Sequence, residues 1–365
     1  MDNKVNVHEN ALENRCPNCT ASISFNPAVG KWKCEYCGGE FNLEEMKNYS
    51  NNASANSKNI ENGIQQNVDI TDYTTYHCES CGAEIITDSQ TTAATFCVYC
   101  GATAILKSKL SGKFAPELII PFKKTKIDAI NKFKSLSKGR PLVPKDFIAE
   151  NNIEKIRGIY IPFWLYDIKI SGDLHMIGSN IEMWTKGNKR YVKTDKYKVV
   201  RGGTIEYNNI PVDGSKRFDN AIMDSIEPFK FDEAVKFNHA YLSGFYAERY
   251  DEDDNEMFNR ATKRAINSAI EKFKKAAPEY QEILVETNSF KSKEEKKVYA
   301  LLPVWMVNIK YKNKMHTFAM NGQTGEFVGN IPIDVDKMII YSIIIFIISL
   351  IIIIFLSYIT SGVWL

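Results

Sequence analysis

The chain carries almost no excess charge. Its 46 lysines and arginines face 44 aspartates and glutamates, a formal net charge of +2 over 365 residues. That is too little to imply a nucleic-acid or membrane-surface partner by itself. No GxxxxGK[ST] is present, so the phosphate cradle of a nucleotide-driven motor is missing. HExxH and GxSxG are also missing, and the Asp173/His175 pair alone reads as a surface pair. We therefore expect a protein that is not an enzyme. Residues 1–15 are polar and hold no apolar h-region, which argues against an exported N-terminal part. Cysteine is confined as well: none lies outside four CxxC pairs.

Those pairs are ordered in twos. Cys16-Pro-Asn-Cys19 is followed after fourteen residues by Cys34-Glu-Tyr-Cys37, and Cys78-Glu-Ser-Cys81 after fifteen by Cys97-Val-Tyr-Cys100. A CxxC turn aims two thiolates at one point, and two such knuckles supply the tetrahedral sulfur set of a closed structural zinc site. Glycine after a knuckle (Gly38, Gly82, Gly101) eases the tight backbone there. Disulfides would need an oxidising compartment. Iron shares the ligand set, and a redox dithiol would need one pair acting alone. Two Zn2+ ions, one per four cysteines, are the expected cofactors, with His8 and His77 as bystanders. The words CEYCGG and CVYCGA mark the ribbons as an internal repeat.

The long apolar run comes last. Residues 338–359 are uncharged, more than half of them isoleucine. A helix of that length spans the ~30 Å hydrocarbon core of a bilayer. Each Ile or Phe there contributes roughly −0.3 to −0.6 kcal/mol to insertion, which outweighs Ser342, Ser349 and Ser357. Lys337 precedes the run, with Lys310, Lys312 and Lys314 upstream, so the positive-inside bias predicts a single-pass cell-membrane protein with its N-terminus cytoplasmic.

The expected organisation is a polar tail (1–15), zinc ribbon 1 (16–47), a flexible linker (48–75), zinc ribbon 2 (76–107), an α+β domain (114–335) and a transmembrane helix (338–359). The fold class is therefore two small four-cysteine zinc ribbons, an α+β domain with a largely antiparallel sheet, and one C-terminal transmembrane helix. The Asn- and Ser-rich linker cannot bury enough apolar surface to order itself, so the ribbons are expected to move independently. Within the α+β region, 117–122 reads as a strand. Ile127, Ile130, Phe133 and Leu136 read as one helix face behind a Thr125 cap, and 146–156 as a short helix. A longer helix is expected over 255–276, where Phe258, Ala261, Ala265, Ala269 and Phe273 recur at helical spacing. The words IPFWLYDIK (161–169) and LPVWMVNIK (302–310) form a second repeat, with Trp164 and Trp305 as core anchors. Their prolines suggest edge strands or strand starts.

One basic stretch has aromatics interleaved: Lys186, Lys189, Arg190, Lys193, Lys196, Lys198 and Arg201, with Tyr191 and Tyr197. Such a strip could stack bases and hold phosphates, face anionic lipid, or be an ordinary lysine-rich surface. Around the knuckles only Arg15, Lys31, Lys33, Lys47 and Lys107 are basic, too few for tight phosphate binding.

Taken together, the CPNC and CxYCG knuckles, the IPFW and LPVW words, the NGQTGEFVGNIP turn and the terminal apolar span resemble the bacterial TFIIB-type zinc-ribbon membrane proteins, often labelled helicase-like or primosomal. The resemblance implies a membrane recruitment platform, with phage-shock-type envelope-stress proteins or SPFH-domain proteins as partner classes. The expected function is a tail-anchored adaptor that recruits or scaffolds proteins at the membrane. The alternative is a membrane-tethered nucleic-acid-binding protein.

Overall fold

The computed structural model describes residues 9–11, 14–56, 74–78, 81, 83–87, 91–98, 100–252 and 254–361. After β1 (Glu9–Ala11), the first module folds into a three-stranded antiparallel sheet of β2 (Ser24–Asn26), β3 (Lys31–Lys33) and β4 (Glu40–Phe41). Phe25, Trp32 and Phe41 face inward while Lys31 and Lys33 stay exposed, the period-two pattern of a half-buried strand. Helix α1 (Leu43–Asn56) starts at a reciprocal cap. Asn42 Oδ1 accepts from the Glu45 N–H, and the Glu45 carboxylate accepts from the Asn42 N–H. The expected linker therefore opens as helix, and its positions 57–73 lie outside the described residues.

The second module supplies β5 (Thr74–Cys78), β6 (Glu84–Thr87), β7 (Thr92–Phe96) and β8 (Thr103–Ile105). β5 and β6 make a small sheet with β1, whereas β7 and β8 leave it for a larger one. The chain continues through β9 (Leu118–Ile119), α2 (Lys126–Ser135), α3 (Glu150–Ile153), β10 (Arg157–Lys186) and β11 (Lys189–Asp213). Then come α4 (Asn220–Ser225), β12 (Val235–Lys236), β13 (Tyr246–Glu248), α5 (Asp254–Lys275) and β14 (Glu282–Asn288). β15 (Lys291–Tyr311), β16 (Lys314–Asn321), β17 (Phe327–Gly329) and α6 (Val335–Ser361) complete it.

β7 to β17 form one mixed, mostly antiparallel sheet of 11 strands around β10 and β15. The two repeated words lie on these two strands and pair with each other: Ile161 opposes Leu302, and Tyr160 opposes Pro303. Both prolines are thus in central strands, not at an edge or a strand start as their residue type suggested. The ladder explains why. The Pro162 carbonyl accepts from Gly214 N–H, so its nitrogen faces the same side, in the gap where β13 stops at Tyr160 and β11 begins at Phe163. Pro303 accepts from Gly322 N–H and faces the matching gap between β9 and β16. Neither residue deprives a neighbour of a donor.

Helices cover the sheet largely as their patterns predict. α5 buries Met257, Ala261, Ala265 and Ala269 against Tyr166, Ile168, Ile170 and Val212. The flank of that face fixes the chain by charge: Arg260 pairs with buried Asp213 at 2.7 Å, and Arg264 holds both oxygens of Glu227. α2 has the expected Thr125 cap, closed by Asp128 as a capping box, and buries Ala129 and Phe133. Ile127, however, is exposed, because only one side of this short helix meets the sheet. The segment expected as a helix over 146–156 is a 3-10 turn followed by α3.

The NGQTG turn is a clasp. Asn321, fully buried, accepts from the Gln323 and Thr324 N–H groups and donates to the Ile226 and Pro228 carbonyls. The Gly322 carbonyl accepts from Lys123 and Lys124 N–H, and a Cβ on Gly322 would meet the Phe122 ring at 2.6 Å.

Candidate metal centres and the surfaces around them

All eight predicted cysteines converge as two groups, Cys16, Cys19, Cys34, Cys37 and Cys78, Cys81, Cys97, Cys100, each with its sulfurs within 4.8 Å of one another. Local backbone chemistry does the aiming. In each knuckle the first cysteine's N–H donates to the carbonyl five residues on: Cys16 to Ala21, Cys34 to Gly39, Cys78 to Ala83, Cys97 to Ala102, at 2.8–2.9 Å. A return bond from Thr20, Gly38 or Gly101 to the first cysteine's carbonyl closes the turn. That closing residue is left-handed, at φ +60°, +74° and +75°. Glycine meets the requirement twice, while Thr20 meets it with its hydroxyl donating to the Cys19 carbonyl. Gly82 lies outside the described residues.

The sulfur geometry fits a four-coordinate cation. Cys16–Cys37 and Cys19–Cys34 are 3.6 Å apart, Cys78–Cys100 and Cys81–Cys97 3.7 Å. A tetrahedron with metal–sulfur bonds of about 2.3 Å has edges of about 3.8 Å, whereas a disulfide would need about 2.05 Å. The titration pattern suits a cation-binding set. Backbone N–H groups, that of Cys37 foremost, hold the Cys34 thiol down at about 7. Cys19 goes the other way: an Ala21 N–H favours its thiolate, but burial and the three neighbouring sulfurs push it to about 12. One thiolate is favoured and the next is penalised by it, and a divalent cation removes that penalty. Either group could therefore bind a metal ion. His77 lies in β5 and belongs to neither group, and His8 lies outside the described residues.

Both groups are seated on the same stretch of chain, 239–249, so the expected independent motion does not survive. From ribbon 1, Trp32 Nε1 donates to the Ala240 carbonyl at 2.9 Å, its ring packing on Phe25 and Tyr241. Asn14 Nδ2 donates to Ser243 Oγ at 2.6 Å. From ribbon 2, β7 pairs with β13, Ala94 opposing Ala247, and Thr91 Oγ1 donates to Glu248 at 2.6 Å. Gly244 serves both. Its N–H donates to Thr103 Oγ1, and a Cβ there would meet Ser24 at 2.9 Å. One core cluster runs from Cys16, Trp32 and Met46 through Ala93 and Ile105 to Phe122, Tyr160 and Trp305.

The seven basic residues predicted as a strip are not one surface. They lie on the β10–β11 hairpin, where residues opposite each other share a face and successive residues alternate. Lys186, Lys189, Lys193 and Arg201 fall on one face; Arg190, Lys196 and Lys198 fall on the other. Lys193 pairs with Asp195 at 2.7 Å, and Arg201 with Glu279 at 2.6 Å. β11 pairs only with β10 among the described residues, so its lysines line an open edge, where charge opposes strand addition. The sequence did not single out the hydrophobic end of this arm. Trp184 and Tyr191 oppose each other, stacked at 5.7 Å and exposed, with Met183 and Val192 exposed on the reverse face.

α6 is the candidate membrane span: 25 residues, Val335–Ile359, of mean hydropathy 3.3, with none of its most apolar stretch buried. It leaves from the opposite end of the sheet. Arg157 opens β10 opposite Met306, and β15 continues past it toward Tyr311 and the helix, while the arm tip lies at Lys186. The 30 residues of β10 extend on the order of 90 Å along the strand.

Among curated proteins, the chain is 34% identical over 325 residues to uncharacterized protein YdjG of Bacillus subtilis (strain 168), over 89% of this chain and 91% of that one. The chain belongs to the YdjG family. No family model and no solved structure matches it. In this YdjG-family chain, paired four-thiol groups, a mixed sheet with a long arm and a C-terminal apolar helix occur together.

Proposed function

We propose that this YdjG-family chain is a single-pass membrane adaptor whose two zinc-filled ribbons brace a rigid platform and whose β10–β11 arm presents a protein-docking tip away from the bilayer. Zinc is the ion that suits four thiolates in a closed tetrahedral set. The observation that carries the reading is the placement of arm tip and candidate span at opposite ends of one sheet. Trp and Tyr are among the side chains over-represented at binding hot spots, and the tip offers Trp184 and Tyr191 stacked and exposed on one face. The positive charge near the span supports a cytoplasmic platform. The likeness to TFIIB-type zinc-ribbon membrane proteins belongs to the same proposal, as do phage-shock-type and SPFH-domain partners. The division of the basic residues between two faces weighs against a nucleic-acid tether.

The test is partner capture from native membranes, with cross-linking, detergent extraction and nuclease treatment. We expect a protein partner that survives nuclease with the full chain and is lost from the double variant Trp184→Ala, Tyr191→Ala. Recovery of nucleic acid instead, with nuclease abolishing all specific capture, would replace the adaptor with the tether.

A further inference from the structure

The base of α6 is tied to two other parts of the chain. The Asp334 N–H donates to the Leu142 carbonyl at 2.9 Å, and Lys337 Nζ donates to the Val143 carbonyl at 3.3 Å. Lys312, in the β15–β16 turn, reaches Asp336 at 3.3 Å. Beneath them Phe147 packs edge-on to Tyr311 and His316, joining the 137–148 segment to that turn. The uncharged run begins one residue after Lys337, so residues 142–143 and 312 lie within a side-chain length of its first turn.

We infer that this collar, Lys138, Arg140, Lys310 and Lys314, is a binding surface for the anionic head groups of the bilayer. The inference rests on the reading of α6 as a membrane span. Segments 137–143 and 310–315 contain no acidic residue. The two acids at the helix base are engaged, Asp336 by Lys312 and Asp334 by Lys337 at 3.5 Å. The four collar cations are exposed, and no ion pair with them occurs among the described residues. Exposed Met315, Ile333 and Val335 stand beside them, suited to the boundary between head groups and acyl chains. Each cation near an anionic leaflet is worth roughly a fivefold preference. The distant arm tip, with as many basic residues, has no such surface within reach.

The experiment reconstitutes the full chain into nanodiscs of mixed phosphatidylcholine and phosphatidylglycerol, extracts it gently and reads the retained lipids by native mass spectrometry. Wild type should be enriched in phosphatidylglycerol. The variant Lys138→Gln, Arg140→Gln, Lys310→Gln, Lys314→Gln should lose at least about tenfold of that preference. Lys138→Arg, Lys310→Arg, Lys314→Arg should keep it, which separates lost charge from misfolding, and so should Lys186→Gln, Lys189→Gln at the arm tip. An unchanged preference in the glutamine variant overturns the collar. So does displacement of the lipid by an equal concentration of soluble glycerol phosphate, which would make this a free-anion site. Failure of wild type to enter nanodiscs at all overturns the spanning reading and the collar with it.

Discussion

The two ribbons have the same donor set and nearly the same sulfur spacing, yet they are joined to the protein by different physics. Ribbon 1 keeps its own three-stranded sheet and docks mainly by side chains: Trp32, Phe25 and Asn14 fill or cap the surface of 240–243, with one backbone bond from the Phe25 N–H to the Ser243 carbonyl. Ribbon 2 gives its second hairpin away. β7 and β8 are strands of the large sheet, so the knuckle Cys97–Cys100 sits between them as a turn of that sheet. A docked module can detach at the cost of one interface, whereas a strand cannot leave a sheet without exposing backbone groups on both sides. The repeated four-cysteine motif thus occurs once as an appended part and once as an integral part.

The largest effect should follow from breaking the integral site. With the two sites filled as proposed, Cys97→Ser, Cys100→Ser should halve the bound metal and lower the stability of the whole platform, because apo ribbons of this size depend on metal for folding. Cys34→Ser, Cys37→Ser should also halve the bound metal but leave the melting of the large sheet nearly unchanged. Metal analysis with circular dichroism melts of both proteins checks the pair. Equal losses in the two would erase the distinction.

Next in size is the docking side chain itself. Trp32 is 1% exposed and hydrogen-bonded to Ala240. Trp32→Ala should cost about 3–5 kcal/mol, the range for truncating a buried large aromatic. The loss should appear as early, local unfolding of ribbon 1, with its amides exchanging faster while those of β10 and β15 stay protected. Gly244→Ala should be milder but should loosen both ribbons together, because its φ of +88° and its contact with Ser24 disfavour any side chain. Exchange confined to one ribbon would show that Gly244 is not shared.

The contrast also explains what could be read from the sequence. Eight cysteines, α5 and the apolar helix were legible because each rests on a local rule: thiol spacing, helical period, uninterrupted hydropathy. The likeness of IPFW to LPVW was visible as a repeat, but nothing in the words said that the two strands would pair with each other, and the prolines pointed to edges. The gaps that accommodate them are made by β9, β11, β13 and β16, from four separate parts of the chain. Ribbon docking was illegible for the same reason. Nothing in the word KWK says that its tryptophan will reach a carbonyl 208 residues away. The basic stretch misled because charge was counted along the strand, while a strand divides its side chains between two faces.

The smallest prediction concerns the polar tie of ribbon 2. Glu248 is buried, accepts from Thr91 and Thr92, and pairs with half-exposed Arg217 at 2.6 Å. Burial raises its pKa above the ordinary 4.5, outweighing the favourable Thr91 and Arg217 contacts. The folded protein therefore binds this proton more tightly than the unfolded chain does. The group's contribution is most favourable below the unfolded value and diminishes as pH rises toward the folded one. Glu248→Gln keeps the shape and an acceptor but cannot titrate. The difference in thermal midpoint, wild type minus variant, should fall as pH is raised through that window, with an amplitude of about 1 kcal/mol or less because Arg217 is half solvated. Taking the difference cancels what acid does to the cysteines of both proteins alike. A difference that stays flat would place the Glu248 proton equally in both states, and a difference that rises would mean Arg217 dominates the site and makes the carboxylate a stabilising partner of ribbon 2.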